Sequence, residues 1–241
     1  MQEDQIILID KPADISSFGV VAKVRGFLKS EFGHKVKVGH TGTLDPFATG
    51  LLILLTGKNT KKSNEFLKLD KVYEATLKLG FVSSTGDPEG QIRTFLVEDI
   101  SEPGKARIRA FSPVATGEND PCPKLSNVEF ALSSFIGTIT QTPPRFSAIK
   151  INGERAYKLA RKGQDFEIPS RKVEIYSIDI LNYNYPELKI RVHCSSGTYI
   201  RTLAEDIGKK LGTGAYLTAL RRTKIGDYDI KDALPLSRFT K

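Results

Sequence analysis

Cysteine is scarce: Cys122 and Cys194 are the only two, and there is no CxxC. That excludes a disulfide framework and a zinc site built from CxxC pairs, and it suits a reducing compartment. No apolar run exceeds Leu51–Leu55, far too short to cross a bilayer. The N-terminal Met1-Gln2-Glu3-Asp4-Gln5 is polar and acidic, without the basic flank and apolar stretch of a signal peptide. These absences point to a cytoplasmic protein. There is no internal repeat and no low-complexity segment. His40 has no partner at a metal-ligand spacing such as HExxH, and the Gly-rich stretch around it lacks the lysine of a phosphate loop.

What is present is globular. The chain has 241 residues, 39% hydrophobic and 27% charged, enough for a sizeable core in one large domain or one with a small appendage. Its net charge of +8 is unevenly placed along the chain. Residues 1–144 hold 17 Lys and Arg against 17 Asp and Glu; residues 145–241 hold 19 against 11. A basic half attracts polyanions, nucleic acid among them, although a lysine-rich solvated surface has the same composition.

Periodicity predicts a strand at Gln5–Asp10. A helix follows, capped by Ser16 or Ser17, with Val20, Val21, Val24, Phe27 and Leu28 on its apolar face and Gly33 as its stop. Lys71–Gly80 alternates, with Tyr73, Ala75, Leu77 and Leu79 on one side. Residues 83–91 form a turn cluster. Residues 99–127, with Pro103, Pro113, Pro121 and Pro123, read as an irregular connection with at most one short helix. Val128–Ile136 can be helical, and Thr138–Lys150 is extended by its prolines. Gly153–Gly163 reads as a helix, Arg171–Ile180 and Glu187–His193 as paired strands, and Thr198–Leu211 as a second good helix. Arg221-Arg222-Thr223-Lys224 reads as a basic turn before a short tail. Strands and helices without a regular βαβ rhythm predict α+β with a mixed, largely antiparallel sheet.

Four segments could carry chemistry. Gly39–Leu52, GHTGTLDPFATGLL, places Asp45 before a proline in a Gly-rich loop, where its carboxylate projects from a turn. Taken alone, a turn-forming aspartate that bonds its own backbone is the commoner use. In SSGTYIRTL, residues 195–203, Arg201 sits in the first turn of a helix, the wrong end of the dipole for a cation, so it calls for an anionic partner or is simply exposed. Tyr73 on its own is most simply a core tyrosine. QTPPRFSAIK, residues 141–150, is either a proline-rich connector or an extended loop suited to single-stranded RNA.

Taken in order, IDKPADISS (9–17), VGHTGTLDPFATGLL (38–52), KVYEATLKLG (71–80), STGDPEG (84–90), QTPPRFSAIKINGERAYKLAR (141–161), CSSGTYIRTLAEDIG (194–208) and LRRTKIG (220–226) resemble the TruB family of tRNA pseudouridine-55 synthases. The resemblance implies a pseudouridine-synthase fold with a central catalytic cleft. Its catalytic domain would span residues 1–226, with an RNA-clamping loop at about 138–153 and a tail at 227–241. The C-terminal PUA domain of most relatives is not expected. Asp45 corresponds to the family's nucleophile, Tyr73 to the tyrosine that stacks on the flipped uracil, and Arg201 to the arginine that pairs with the aspartate. His40 and Tyr199 correspond to pocket residues, and Lys11, Arg145 and Lys150 fall in substrate-binding segments. Arg145 stands where relatives usually carry an apolar residue. The implied reaction isomerises the T-loop uridine of tRNA, needs no cofactor or metal, and is carried out by a monomer on the T arm without a protein partner. Two other readings fit parts of the chain: a tRNA-folding chaperone, and the catalytic subunit of a guide-RNA particle.

Overall fold

Ser16 opens the first helix as its position predicts: its side chain accepts from the Gly19 N–H, and Gly33 ends the helix in the left-handed region, φ 73°. The computed structural model describes residues 2–102, 105–110, 122–151 and 153–239, with the side chains of 97–102 and 105–110 left aside. In chain order the elements are β1 (Ile6–Lys11), α1 (Ser17–Phe32), β2 (Val38–His40), β3 (Thr49–Thr56), α2 (Ser63–Lys68) and β4 (Lys71–Leu79). Two hairpins follow, β5 (Phe81–Ser83) with β6 (Ile92–Thr94) and β7 (Leu96–Glu102) with β8 (Lys105–Ala110). Then come α3 (Leu125–Ser133), β9 (Gly137–Gln141), β10 (Lys150–Ile151), β11 (Glu154–Arg155), α4 (Ala156–Arg161), β12 (Arg171–Asn184) and β13 (Glu187–Cys194). The last elements are α5 (Ile200–Lys210), β14 (Ala215–Ile225), β15 (Tyr228–Asp229) and β16 (Leu234–Pro235). The class is α+β, and the strand pairings are mixed and mostly antiparallel.

The chain forms two compact units: Met1–Glu74, His193–Ser196 and Leu220–Lys241 in the first, Ala75–Val192 and Gly197–Ala219 in the second. In the first, the strand order is β16-β1-β3-β14-β4-β13. β1 and β3 are antiparallel, Ile9 opposite Leu52, whereas β14 runs parallel to β3. β3 is buried on both faces. Leu52 and Leu54 join Ile7, Ile9, Val20, Val24 and Leu28 beneath α1; Leu51, Ile53 and Leu55 join Phe66 and Ile225 on the other side. A strand covered twice is apolar at every position, which explains the Leu51–Leu55 run.

In the second unit, β13 alternates cleanly, with Leu188, Ile190 and Val192 buried, and pairs beside β12 and β9. α5 buries Ile200, Leu203, Ala204 and Ile207 as its periodicity predicts, with Leu211 as its C-cap.

Several expectations change. Arg221–Lys224, expected as a basic turn, lie in the C-terminal half of an eleven-residue strand, β14. The tail packs: β16 runs parallel to β1, and Phe239 meets Phe27 edge-on at 5.4 Å. Leu96–Glu102 pairs with Lys105–Ala110 where an irregular connection was expected, α3 begins at Leu125, and Pro103, Pro113 and Pro121 lie outside the described residues. α4 starts three residues late because Glu154–Arg155 pair with Lys150–Ile151. β12 continues to Asn184, four residues beyond expectation, and α5 begins at Ile200, with Tyr199 as its N-cap.

Candidate active site

In the first unit the Leu44-Asp45-Pro46 turn is pinned from several sides. Ser17, at the start of α1, accepts from the Leu44 N–H at 2.8 Å and donates to the Leu44 carbonyl at 3.0 Å. Lys11 is fully buried. Its ammonium donates to the carbonyls of Pro12 (2.8 Å), Ile15 (2.7 Å) and Pro46 (3.0 Å). A buried lysine is tolerated only when its hydrogens are satisfied, and here they stitch the end of β1 to the turn. The Ala48 N–H closes the turn on the Asp45 carbonyl at 3.2 Å, and Asp45 itself is half-buried.

Arg222 is the centre of this region. It is 1% exposed, its Nε donates to the Leu51 carbonyl at 2.8 Å, and its Nη2 donates to the Gly42 carbonyl at 3.0 Å. Its positive charge also acts on the Tyr73 hydroxyl. Its sequence neighbour Arg221 points the other way, as strand alternation requires, and grips Asp10 through both carboxylate oxygens at 3.1 and 2.7 Å. The two loop glycines fit around Arg222. A Cβ on Gly50 (φ 102°) would lie 2.3 Å from the Arg222 carbonyl oxygen, and one on Gly42 (φ 107°) would lie 3.5 Å from its Nη1.

Tyr73 is buried on β4. Burial pushes its hydroxyl above the ordinary phenol range; Arg222 works the other way, and the negative charge of Asp45 adds to the rise. Tyr73 is therefore a neutral phenol near pH 7, within electrostatic reach of Asp45. On the same face, Lys71 donates to the carbonyls of Leu67 and Leu69; burial, with Arg222 nearby, brings its ammonium down to about 8. His40 sits half-buried on β2, opposite Leu54.

In the second unit, Arg201 has the anionic partner its helix position called for. Arg201 Nη1 lies 3.3 Å from Asp87 Oδ2, and each side chain is 4% exposed. The guanidinium also donates to the carbonyls of Thr85 (3.0 Å) and Phe146 (2.8 Å). Asp87 in turn accepts from Thr85 Oγ1 at 2.5 Å and from the Glu89 N–H at 3.0 Å. Tyr199 is fixed through its backbone by the buried Gln141, which accepts from its N–H at 3.0 Å and donates to its carbonyl at 3.3 Å; the Arg171 guanidinium lies 4.8 Å from its ring. Arg145 turns to its own loop, binding Asp165 Oδ1 at 3.2 Å and the Gln164 carbonyl at 2.7 Å over the Phe166 ring. Lys150 is exposed on the two-residue strand β10.

Residues 29–200 match the TruB family pseudouridylate synthase N-terminal domain, and residues 201–241 match the tRNA pseudouridylate synthase B C-terminal domain. The chain belongs to the TruB family of pseudouridylate synthases. It is 44% identical over 240 residues to tRNA pseudouridine synthase B of Phocaeicola vulgatus, covering 99% of this chain and 92% of that protein. It is 43% identical to the Flavobacterium johnsoniae protein of the same name, covering 98% and 95%. Among solved structures, one from a Cbf5–Nop10–Gar1 complex superposes with a TM-score of 0.65 at 25% identity, covering 98% of this chain and 53% of that one.

Three side chains of this TruB-family chain escaped the reading of its sequence. Arg222 and Arg221 read as a basic turn, and Asp87 as part of a turn cluster. The one available signal for Asp87 was the misplaced cation of Arg201. Among the described residues no helix is long and apolar enough to cross a membrane, and no cluster of three His, Cys, Asp or Glu could hold a metal ion.

Proposed function

We propose that this chain converts the T-loop uridine of tRNA, position 55, to pseudouridine, with Asp45 as the essential carboxylate. The observation that carries the proposal is the turn around Asp45, immobilised by Ser17, Lys11 and Arg222 within electrostatic reach of a neutral Tyr73. Relatives 43–44% identical along nearly the whole chain are named for the same reaction. The N1–C1′ bond breaks, the base turns, and C5 bonds to C1′; the C5 proton leaves and N1 gains one. Atoms are conserved, so the scheme calls for no cofactor or metal. Asp45 serves either by bonding to C6 or C1′ or by taking a sugar proton on the way to a glycal, and it is required on each route.

The base is extruded from its stack before reacting. Tyr73 and Tyr199 receive it, His40 fills the vacated space, and Arg201 supplies positive charge whose orientation is set by Asp87. Arg145 and Lys150 meet the RNA from the loop, whereas Lys11 contributes by holding the Asp45 turn rather than by touching RNA. The chain works as a cytoplasmic monomer on the T arm. A folding chaperone without chemistry is not favoured, because the matching relatives are synthases and because chaperoning needs no fixed carboxylate. The test uses an unmodified tRNA transcript incubated with wild type and with Asp45→Asn, followed by carbodiimide labelling and primer extension. One stop in the T loop, lost in the variant, is the expected result. A stop that survives Asp45→Asn would overturn the assignment of the nucleophile.

A further inference from the structure

Loop Thr142–Phe146 does not lie flat on α5. Between them, within the second unit, is a cavity of about 440 Å³. Its floor is the face of α5 opposite the core: Thr202, Glu205, Asp206 and Lys209, spaced i, i+3, i+4, i+7. Thr85 and Thr140 also line it, and Pro143 and Phe146 add apolar surface.

The lining selects a class of ligand. Its two cations are already engaged, Arg145 with Asp165 and Lys209 with Asp206 at 3.3 Å, so the cavity is not built for a phosphate. The half-buried Glu205 carboxyl is a different matter. No hydrogen bond or ion pair of the described residues uses it, and burial raises it above the ordinary carboxylate range. An acceptor kept from water calls for a ligand with N–H groups. The Phe146 ring, 37% exposed, offers a stacking surface to something flat.

We propose that this cavity is a subsite for a second unpaired nucleobase of the bound RNA, one that carries an exocyclic amino group. The inference rests on the RNA-modifying function proposed above. Adenine, cytosine and guanine can donate to Glu205 from that amino group, as bases donate to carboxylates in groove recognition. Uracil has no such group. Arg201 donates to the carbonyls of both Thr85 and Phe146, which line the cavity. A base seated here therefore braces the same peptide groups that orient Arg201.

The experiment measures binding of T-arm hairpins to the Asp45→Asn protein, with a single abasic site placed in turn at each unpaired nucleotide except the target uridine. Thr140→Phe, at an exposed strand position, fills the cavity. Glu205→Gln keeps its volume and changes only the acceptor. At one loop position the abasic substitution should weaken binding roughly tenfold, the size of loss that follows when one base loses its stacking partner. Thr140→Phe should weaken the intact hairpin by a similar factor, and the two losses should not add. Replacing the base at that position by uracil should weaken binding in the parent protein but not in Glu205→Gln. Abasic losses that persist in full in Thr140→Phe at every position would overturn the subsite, as would a parent-like affinity of Thr140→Phe for the intact hairpin. Pseudouridine formation by the wild-type chain is measured on the same hairpins. Normal turnover without any coupling sinks the subsite alone, whereas absence of pseudouridine sinks the functional proposal beneath it.

Discussion

Asp87→Asn isolates what the buried ion pair does for Arg201. The substitution keeps shape and one acceptor oxygen, but it removes the negative charge 3.3 Å from the guanidinium and can turn an N–H₂ donor toward it. At an effective dielectric constant of about 20, the lost Coulomb attraction is about 5 kcal/mol. Removing one partner of a buried ion pair costs about 3–5 kcal/mol of stability. Urea denaturation should therefore show a drop of that order. The backbone carbonyls of Thr85 and Phe146 still hold two of the guanidinium nitrogens, so Arg201 should remain nearby but misaimed. Single-turnover pseudouridine formation, measured well below the melting transition with saturating enzyme, should fall more than RNA affinity does. A double-mutant cycle with Arg201→Met should return a coupling of at least 2 kcal/mol in stability. A loss below 1 kcal/mol for Asp87→Asn, or the same loss with and without Arg201, would refute the claim that Asp87 compensates and aims this arginine.

Three further outcomes follow from the first unit. Gly50→Ala should destabilise by more than about 3 kcal/mol in thermal or urea unfolding, because it combines a left-handed φ with a Cβ 2.3 Å from the Arg222 carbonyl oxygen. Ser17→Ala strands the Leu44 N–H and carbonyl; about 1–3 kcal/mol of stability should go, and kcat should fall while tRNA affinity holds, as checked by steady-state kinetics beside filter binding. Lys71 titrates near 8 in the fold against 10.5 when free, so between those values the unfolded chain binds more protons. Stability should accordingly rise with pH from about 8 until tyrosine ionisation in the unfolded chain reverses it near 10, by up to about 3 kcal/mol, and Lys71→Met should abolish the rise.

The local elements of this fold are legible because their causes are local. α1 is set by Ser16, Gly33 and an apolar stripe, and β4 by a period of two, all within ten to twenty residues. β3 and β14 escaped for opposite reasons. β3 is covered on both faces, so it lacks alternation and reads only as an apolar run. β14 carries Arg221 and Arg222, which look solvated until Leu51, Gly42 and Asp10 supply partners about 170 to 210 positions away in the chain. Asp87 was hidden in the same way, 114 residues from Arg201. Charge is regrouped by the fold. The sequence divides into a neutral and a basic half, but folding mixes them: the first unit holds 17 Lys and Arg against 12 Asp and Glu, the second 19 against 16. Asp45, Tyr73 and Arg201 were singled out through motif resemblance, since spacing alone left each with an ordinary structural use.

The boundary between the two units cuts through the middle of strands. β4, β13 and β14 each begin in one unit and end in the other, and the first unit takes its last segment from residues 220–241. Synthesis on the ribosome proceeds from the N-terminus, and chains commonly fold as they emerge. Here the Asp45 turn is made early, yet Arg222, which holds the Gly42 and Leu51 carbonyls on either side of it, leaves the ribosome more than 170 residues later. The nascent protein can shape α1 and β1–β3 but cannot finish the region around Asp45. The Asp45 turn is thus locked only after Arg222 has been made, so chains terminated before β14 would lack that lock.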